Sequence, residues 1–120
     1  MLSKLLSWLG LGRAAPRPQI PDLTPQEAQA RLKGGALLLD VRTPAERQAL
    51  AIPGSRSVPL GQLPAQMDKL PRQRALITQC ASGNRSRAAA QLLAAQGYEV
   101  YNLKGGIHAW QAAGLPTRRG

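Results

Sequence analysis

Residues Ala36-Leu37-Leu38-Leu39-Asp40-Val41 form an apolar run interrupted by one acid, and Thr43-Pro44-Ala45-Glu46 follows almost at once. A strand with one wet face alternates apolar and polar residues, whereas a strand covered on both faces is apolar throughout. The Thr-Pro-Ala-Glu pattern is a capping box with proline at the first helical position, so it opens a helix. A two-faced strand that runs directly into a helix is the unit of a parallel sheet with helices packed on it. No other stretch restricts the fold as much.

The flanking sequence repeats this alternation. Thr24-Pro25-Gln26-Glu27 is a second capping box and predicts a helix from Pro25 to about Lys33, stopped by Gly34-Gly35. Ala51-Ile52-Pro53-Gly54 reads as a turn, and Ser57-Val58-Pro59 leaves room for a very short strand. Leu60 to Leu70 is helical in pattern, with Pro64 in the first turn. Arg74 to Gln79 reads as a strand, and Ser86 to Gln96 as an Ala- and Leu-rich helix ended by Gly97. Tyr98 to Leu103 is another strand, and Gly105 to Ala113 a short closing helix, with Gly114 and Pro116 beyond it. Strands alternating with helices predict an α/β fold with a largely parallel central sheet. In such sheets the ligand site lies outside the carboxyl ends of the strands. Asp40 and Cys80 both fall there.

The chain is 120 residues long, enough for one core with tails. Residues 20–117 are expected to form the domain, with 118–120 as a basic tail. Residues 13–19 open a linker, since Arg13 to Pro21 holds three prolines. Residues 1–12 place Leu2, Leu5, Leu6 and Leu9 at helical spacing, widened by Trp8 and Leu11. That segment reads as an amphipathic helix for a protein partner or membrane surface, as a helix folded back on the domain, or as a weak secretory signal. Gly10, Gly12 and the lack of a small-x-small cleavage site speak against the signal. No apolar run approaches the ~18 residues of a membrane span. The expected location is cytoplasmic, with residues 1–12 allowing peripheral membrane contact. A net charge of +10 suggests a nucleic-acid partner, but the cations are scattered, there is no Phe, and Tyr and Trp number two each. Stacking platforms for single strands are therefore poorly supplied. No nucleic-acid partner is expected; a surface attracting small anions or acidic proteins fits better.

Leu76 to Gln79 leads into the only cysteine, Cys80, and Ala81-Ser82-Gly83-Asn84-Arg85-Ser86 carries the chain into a helix. One cysteine excludes an intramolecular disulfide and a cysteine-rich metal site, and no metal or cofactor is expected. A helix start offers unpaired N–H donors and partial positive charge, which favour an anion. A thiolate placed there has a lowered pKa and is a nucleophile at neutral pH. Such a loop can surround a transferred oxyanion or hold a sulfur anion on the cysteine. Four residues, Ala81 to Asn84, separate Cys80 from Arg85. Thiol phosphatases place one more residue there, which gives a wider cradle for tetrahedral phosphate.

Taken together, Leu39-Asp40-Val41-Arg42, Ile52-Pro53-Gly54-Ser55, the Cys80–Ser86 loop and Gly105-Gly106-Ile107-His108-Ala109-Trp110 resemble a rhodanese domain, and more narrowly the single-domain thiosulfate sulfurtransferases. The resemblance runs from about Ile20 to Thr117. It implies a three-layer α/β/α fold whose mostly parallel central sheet has about five short strands. It also implies that Cys80 takes sulfane sulfur from thiosulfate or a related small anion as a persulfide and passes it to cyanide or a thiol. Loop N–H groups from Ala81 to Ser86 would hold the outer sulfur. Arg85 would supply charge to the donor or tie the loop to a carboxylate, and Ser86 would cap the helix. Asp40 and Arg42 match the family's Asp-Val-Arg motif, with Asp40 buttressing the loop or pairing with an arginine. His108, inside the closing motif, is not expected to act as a base. Ala51 stands where the family commonly has histidine. The rival readings are a non-catalytic interaction module and a phosphatase or arsenate reductase relative.

Overall fold

The computed structural model describes residues 18–119, so segment 1–12 and most of the proline-rich linker lie outside the described residues. Its sheet contains β1 (Asp22–Leu23), β2 (Leu37–Asp40), β3 (Arg56–Ser57), β4 (Leu76–Gln79) and β5 (Val100–Leu103). The strand order is β1-β5-β4-β2-β3, and every neighbouring pair is parallel. The connecting helices are α1 (Pro25–Lys33), α2 (Pro44–Ala49), α3 (Leu63–Gln66), α4 (Asn84–Ala95) and α5 (Gly106–Ala112).

Strand alternation divides the core into two layers. Leu37, Leu39 and Leu76 face one side, where Leu63 of α3 and Ala89, Ala90 and Leu93 of α4 cover them. Leu38 and Ile77 face the other side, against Ala28 of α1 and Ile107 and Trp110 of α5. The central strands are therefore buried on both faces, which accounts for the absence of polar alternation in their sequence. Each fully buried leucine or isoleucine contributes about 1.5–3 kcal/mol by leaving water. The fold is α/β, with helices on both faces of a parallel sheet. No helix of the described residues is long and apolar enough to cross a membrane.

The connections give the sheet its functional edge. After β2 the chain moves to β3 on one side, and after β4 it moves to β5 on the other. The switch point lies between β2 and β4, where the loops that follow the two strands part and where a sheet of this kind binds its ligand. Those loops carry Asp40-Val41-Arg42 and Cys80 to Gly83.

Several elements differ from the sequence expectation. Helix α4 begins at Asn84, two residues before Ser86, because Gly83 takes the N-cap position with φ 111°. Ser86 therefore does not cap the helix; it sits inside the first turn. The expected helix over Leu60–Leu70 is broken into short α3 between two single 3₁₀ turns, Leu60–Gln62 and Met67–Lys69. Strand β1 was not foreseen. It is held by Asn102 N–H donating to Pro21 O (3.0 Å) and Lys104 N–H to Leu23 O (2.9 Å). Ala51 and Arg118 exchange backbone hydrogen bonds of 2.7 and 2.8 Å, so the fold reaches one residue into the stretch read as a tail.

Candidate active site

Cys80 lies just past the end of β4, 1% exposed. The chain then turns through Ala81, Ser82 and Gly83 into α4, whose first turn contains Asn84, Arg85 and Ser86. The expected residues from Cys80 to Ser86 thus form one loop and helix start, in which Ser82, Gly83 and Ser86 face the sulfur.

The orientation of the loop follows from what holds its carbonyls. Ile107 N–H donates to Cys80 O (2.9 Å) and His108 N–H to Ala81 O (3.3 Å). The start of α5 thereby draws these two oxygens away from the sulfur. This contact requires a close approach, and a Cβ on Gly106 would run into both oxygens. On the inner side Gly83 N–H donates to Cys80 Sγ at 3.0 Å, and Ser86 Oγ lies 3.4 Å from it. Burial alone pushes the Cys80 thiol up, but the contacts of Ser86 and the Gly83 and Ser82 N–H groups with the sulfur outweigh it. The net shift is downward. A thiol that ionises more readily in this setting is an activated nucleophile.

A polar chain behind the sulfur fixes Ser86. Its hydroxyl donates to Asn102 Oδ1 at 2.6 Å, and Thr78 Oγ1 donates to Ser86 O at 2.9 Å. Asn102 Nδ2 in turn donates to Asp22 Oδ1 at 3.0 Å. Asp22 accepts two bonds from Arg87, at 2.6 and 2.8 Å. Burial raises the Asp22 carboxyl, while Arg87 and Asn102 bring it below its usual range. Sequence reasoning missed Asn102. Its signal was a polar residue in an apolar strand, next to an edge strand too short to notice.

Arg85 does not stand free at the switch point. Its Nη1 and Nη2 each donate to a carboxylate oxygen of Glu46, both at 2.8 Å. Glu46 also accepts from Thr43 N–H at 3.0 Å, closing the capping box of α2. Arg85 donation and the Thr43 backbone bond hold the Glu46 carboxyl down at about 2. Of the two roles considered for Arg85, the structure has it tied to a carboxylate. The sequence pattern marks Glu46 only as a capping residue.

Asp40 and Arg42 lie across the switch point and form a buried unit of their own. Asp40 Oδ1 accepts from Arg42 N–H and Nε, both at 3.0 Å, and Oδ2 accepts from Arg42 Nη2 at 2.8 Å. Arg47 Nη1 adds a bond at 3.2 Å. Arg42 continues to Leu50 O at the end of α2 (2.6 Å). Asp40 pairs with arginines instead of touching the Cys80 loop, and the unit reaches the loop through α2 and Glu46. His108 is exposed on α5.

A parallel α/β sheet with a buried, hydrogen-bonded cysteine at its switch point defines a structural class in which a thiol stands where such sheets bind their ligands. Comparison with known proteins narrows the class. The rhodanese-like domain profile matches residues 24–113. A curated sulfurtransferase of Allochromatium vinosum is 44% identical over 81 residues, covering 67% of this chain and 76% of its own. The thiosulfate sulfurtransferase GlpE of Ectopseudomonas mendocina is 37% identical over 91 residues, covering 75% and 84%. The crystal structure of a rhodanese-related protein from Thermoplasma volcanium superposes with a TM-score of 0.79 at 29% identity, covering 83% of this chain and 99% of that one. The chain belongs to the rhodanese-like domain family.

Proposed function

We propose that this chain is a sulfurtransferase that carries sulfane sulfur on Cys80. The Cys80 thiolate attacks the outer sulfur of thiosulfate or a related small anion. The donor's S–S bond breaks, its electron pair leaves on sulfite, and Cys80 keeps the transferred sulfur as a persulfide anion. Cyanide or a thiolate then attacks that outer sulfur, and thiocyanate or a new persulfide departs as the Cys80 thiolate is restored. The N–H groups from Ala81 to Ser86 stabilise the anion without reorganising, as an oxyanion hole does.

The observation that carries this reading is the cap of α4. No side chain caps this helix. Cys80 Sγ takes the Gly83 N–H instead, and the Ser86 hydroxyl lies beside it. Relatives named as sulfurtransferases support the reaction class. The test is mass spectrometry of the intact protein. Wild type incubated with thiosulfate is expected to gain one sulfur atom and lose it on addition of cyanide. An unmodified wild type, or turnover by Cys80→Ser, rejects the proposal.

A further inference from the structure

The donor presents a charge problem at this site. Attack on thiosulfate brings a dianion to a thiolate, while attack on a thiosulfonate or an organic persulfide brings a monoanion. A free arginine beside the loop would favour the dianion, since opposite charges a few ångströms apart attract strongly where water is scarce. Arg85 is that arginine, but both of its terminal nitrogens already donate to Glu46. The bond is bidentate, the geometry that holds a guanidinium most firmly. Its two ends stand on opposite sides of the switch point, Glu46 on α2 after β2 and Arg85 on α4 after β4. Glu46 is the principal group strengthening Arg85's hold on its proton, and the Cys80 sulfur adds to it, so the guanidinium lies within electrostatic reach of the reacting atom.

Apart from Arg85, the donors around the sulfur are backbone N–H groups. Such dipoles hold one negative charge well, but they do not replace a full cation for a second. We infer that Glu46, by neutralising Arg85, sets the charge of the donor this site accepts: singly charged sulfane sulfur carriers are favoured over the thiosulfate dianion. This inference rests on the sulfurtransferase reading above. Glu46 is a positioning residue, acting on the donor through Arg85.

Glu46→Gln isolates the charge. Glutamine at the third helical position still completes a capping box, so α2 keeps its start. Its amide oxygen still accepts one bond from Arg85. The probes are thiosulfate and methanethiosulfonate, which share the sulfane S–S bond and differ by one charge. Each gives Cys80 persulfide and releases sulfite or methanesulfinate respectively. Steady-state rates with cyanide as acceptor give KM and kcat for both.

Glu46→Gln is expected to lower KM for thiosulfate about three- to fivefold, the scale of a half-exposed ion pair. Its kcat is expected to stay within about twofold, and KM for methanethiosulfonate to stay nearly unchanged. The double variant Glu46→Gln/Arg85→Gln is expected to lose the gain, and added salt to shrink it. An equal change in both donors, or none in either, overturns the inference, as does a gain that persists without Arg85. A wild type that forms no persulfide with either donor rejects the sulfurtransferase reading itself, a different result. Circular dichroism and thermal unfolding are expected to match wild type, and a loss of fold assigns Glu46 to structure alone.

Discussion

Two loops leave the carboxyl edge of the sheet on either side of the switch point, and they treat the following helix in opposite ways. After β2, the side chain of Thr43 caps α2 and Glu46 closes the box, while Asp40 is saturated by Arg42 and Arg47. Every charge in that loop has a partner. After β4, the N-cap is Gly83, with no side chain to offer. Its N–H reaches the sulfur of Cys80 instead. One loop pairs its own charges and braces the other through Glu46 and Arg85; the other turns donors toward a sulfur. The same topological position supports a brace or a loop that holds a sulfur, and the difference is whether a side-chain oxygen fills the cap.

The brace is the more sensitive of the two loops to a single substitution. Asp40 is fully buried and Arg42 is 4% exposed, so Asp40→Ala leaves a buried guanidinium without its carboxylate. Unpaired buried charge of this kind costs about 3–5 kcal/mol. Chemical denaturation is expected to show that loss, while the remaining folded protein still accepts sulfur on Cys80. Full stability with persulfide formation abolished would instead put Asp40 in the chemistry.

A smaller change sharpens the contrast between the two loops. Thr43→Ala removes the cap of α2 and is expected to cost about 1 kcal/mol. For a domain of this size the melting temperature then falls by about 4–8 °C. Alkylation of Cys80 at neutral pH is expected to change little, since the Thr43 hydroxyl reaches the Cys80 loop only through Glu46, whose bidentate bond to Arg85 remains. A change in Cys80 reactivity larger than the change in stability would show that the two loops do not act independently.

The brace was readable in the sequence and much of the reaction loop was not, for the same physical reason. Capping boxes are local, spanning three residues, and both observed boxes start helices at the positions they predict. The two-faced run 37–40 is likewise a local pattern, and so is the glycine after α4. The reaction loop depends on contacts across the chain. Arg85 and Glu46 are 39 residues apart, and Asn102 meets Asp22 across 80. No periodicity encodes either. Helix α4 starts early because a glycine with positive φ stands where a capping side chain was sought, and Ser86 spends its hydroxyl on Asn102. Strand β1 is two residues of edge pairing with a single buried leucine, too short for any alternation. The family motifs located Cys80; its surroundings came from the fold.

The link between the loop and the thiol also fixes how stability varies with pH. The folded thiol ionises below its ordinary value. The thiolate's contribution is therefore complete above that ordinary value, and it fades as pH falls through the lowered one.

Cys80 sulfur stands at the cap of α4, where the proposed mechanism needs it as an anion. The most direct measurement is the rate of Cys80 alkylation by iodoacetamide as a function of pH, followed on the intact protein. The expected midpoint lies below that of a free cysteine in the unfolded chain, with substantial reactivity at neutral pH. A midpoint at or above the free value would contradict it, because burial would then outweigh the donors that the loop supplies.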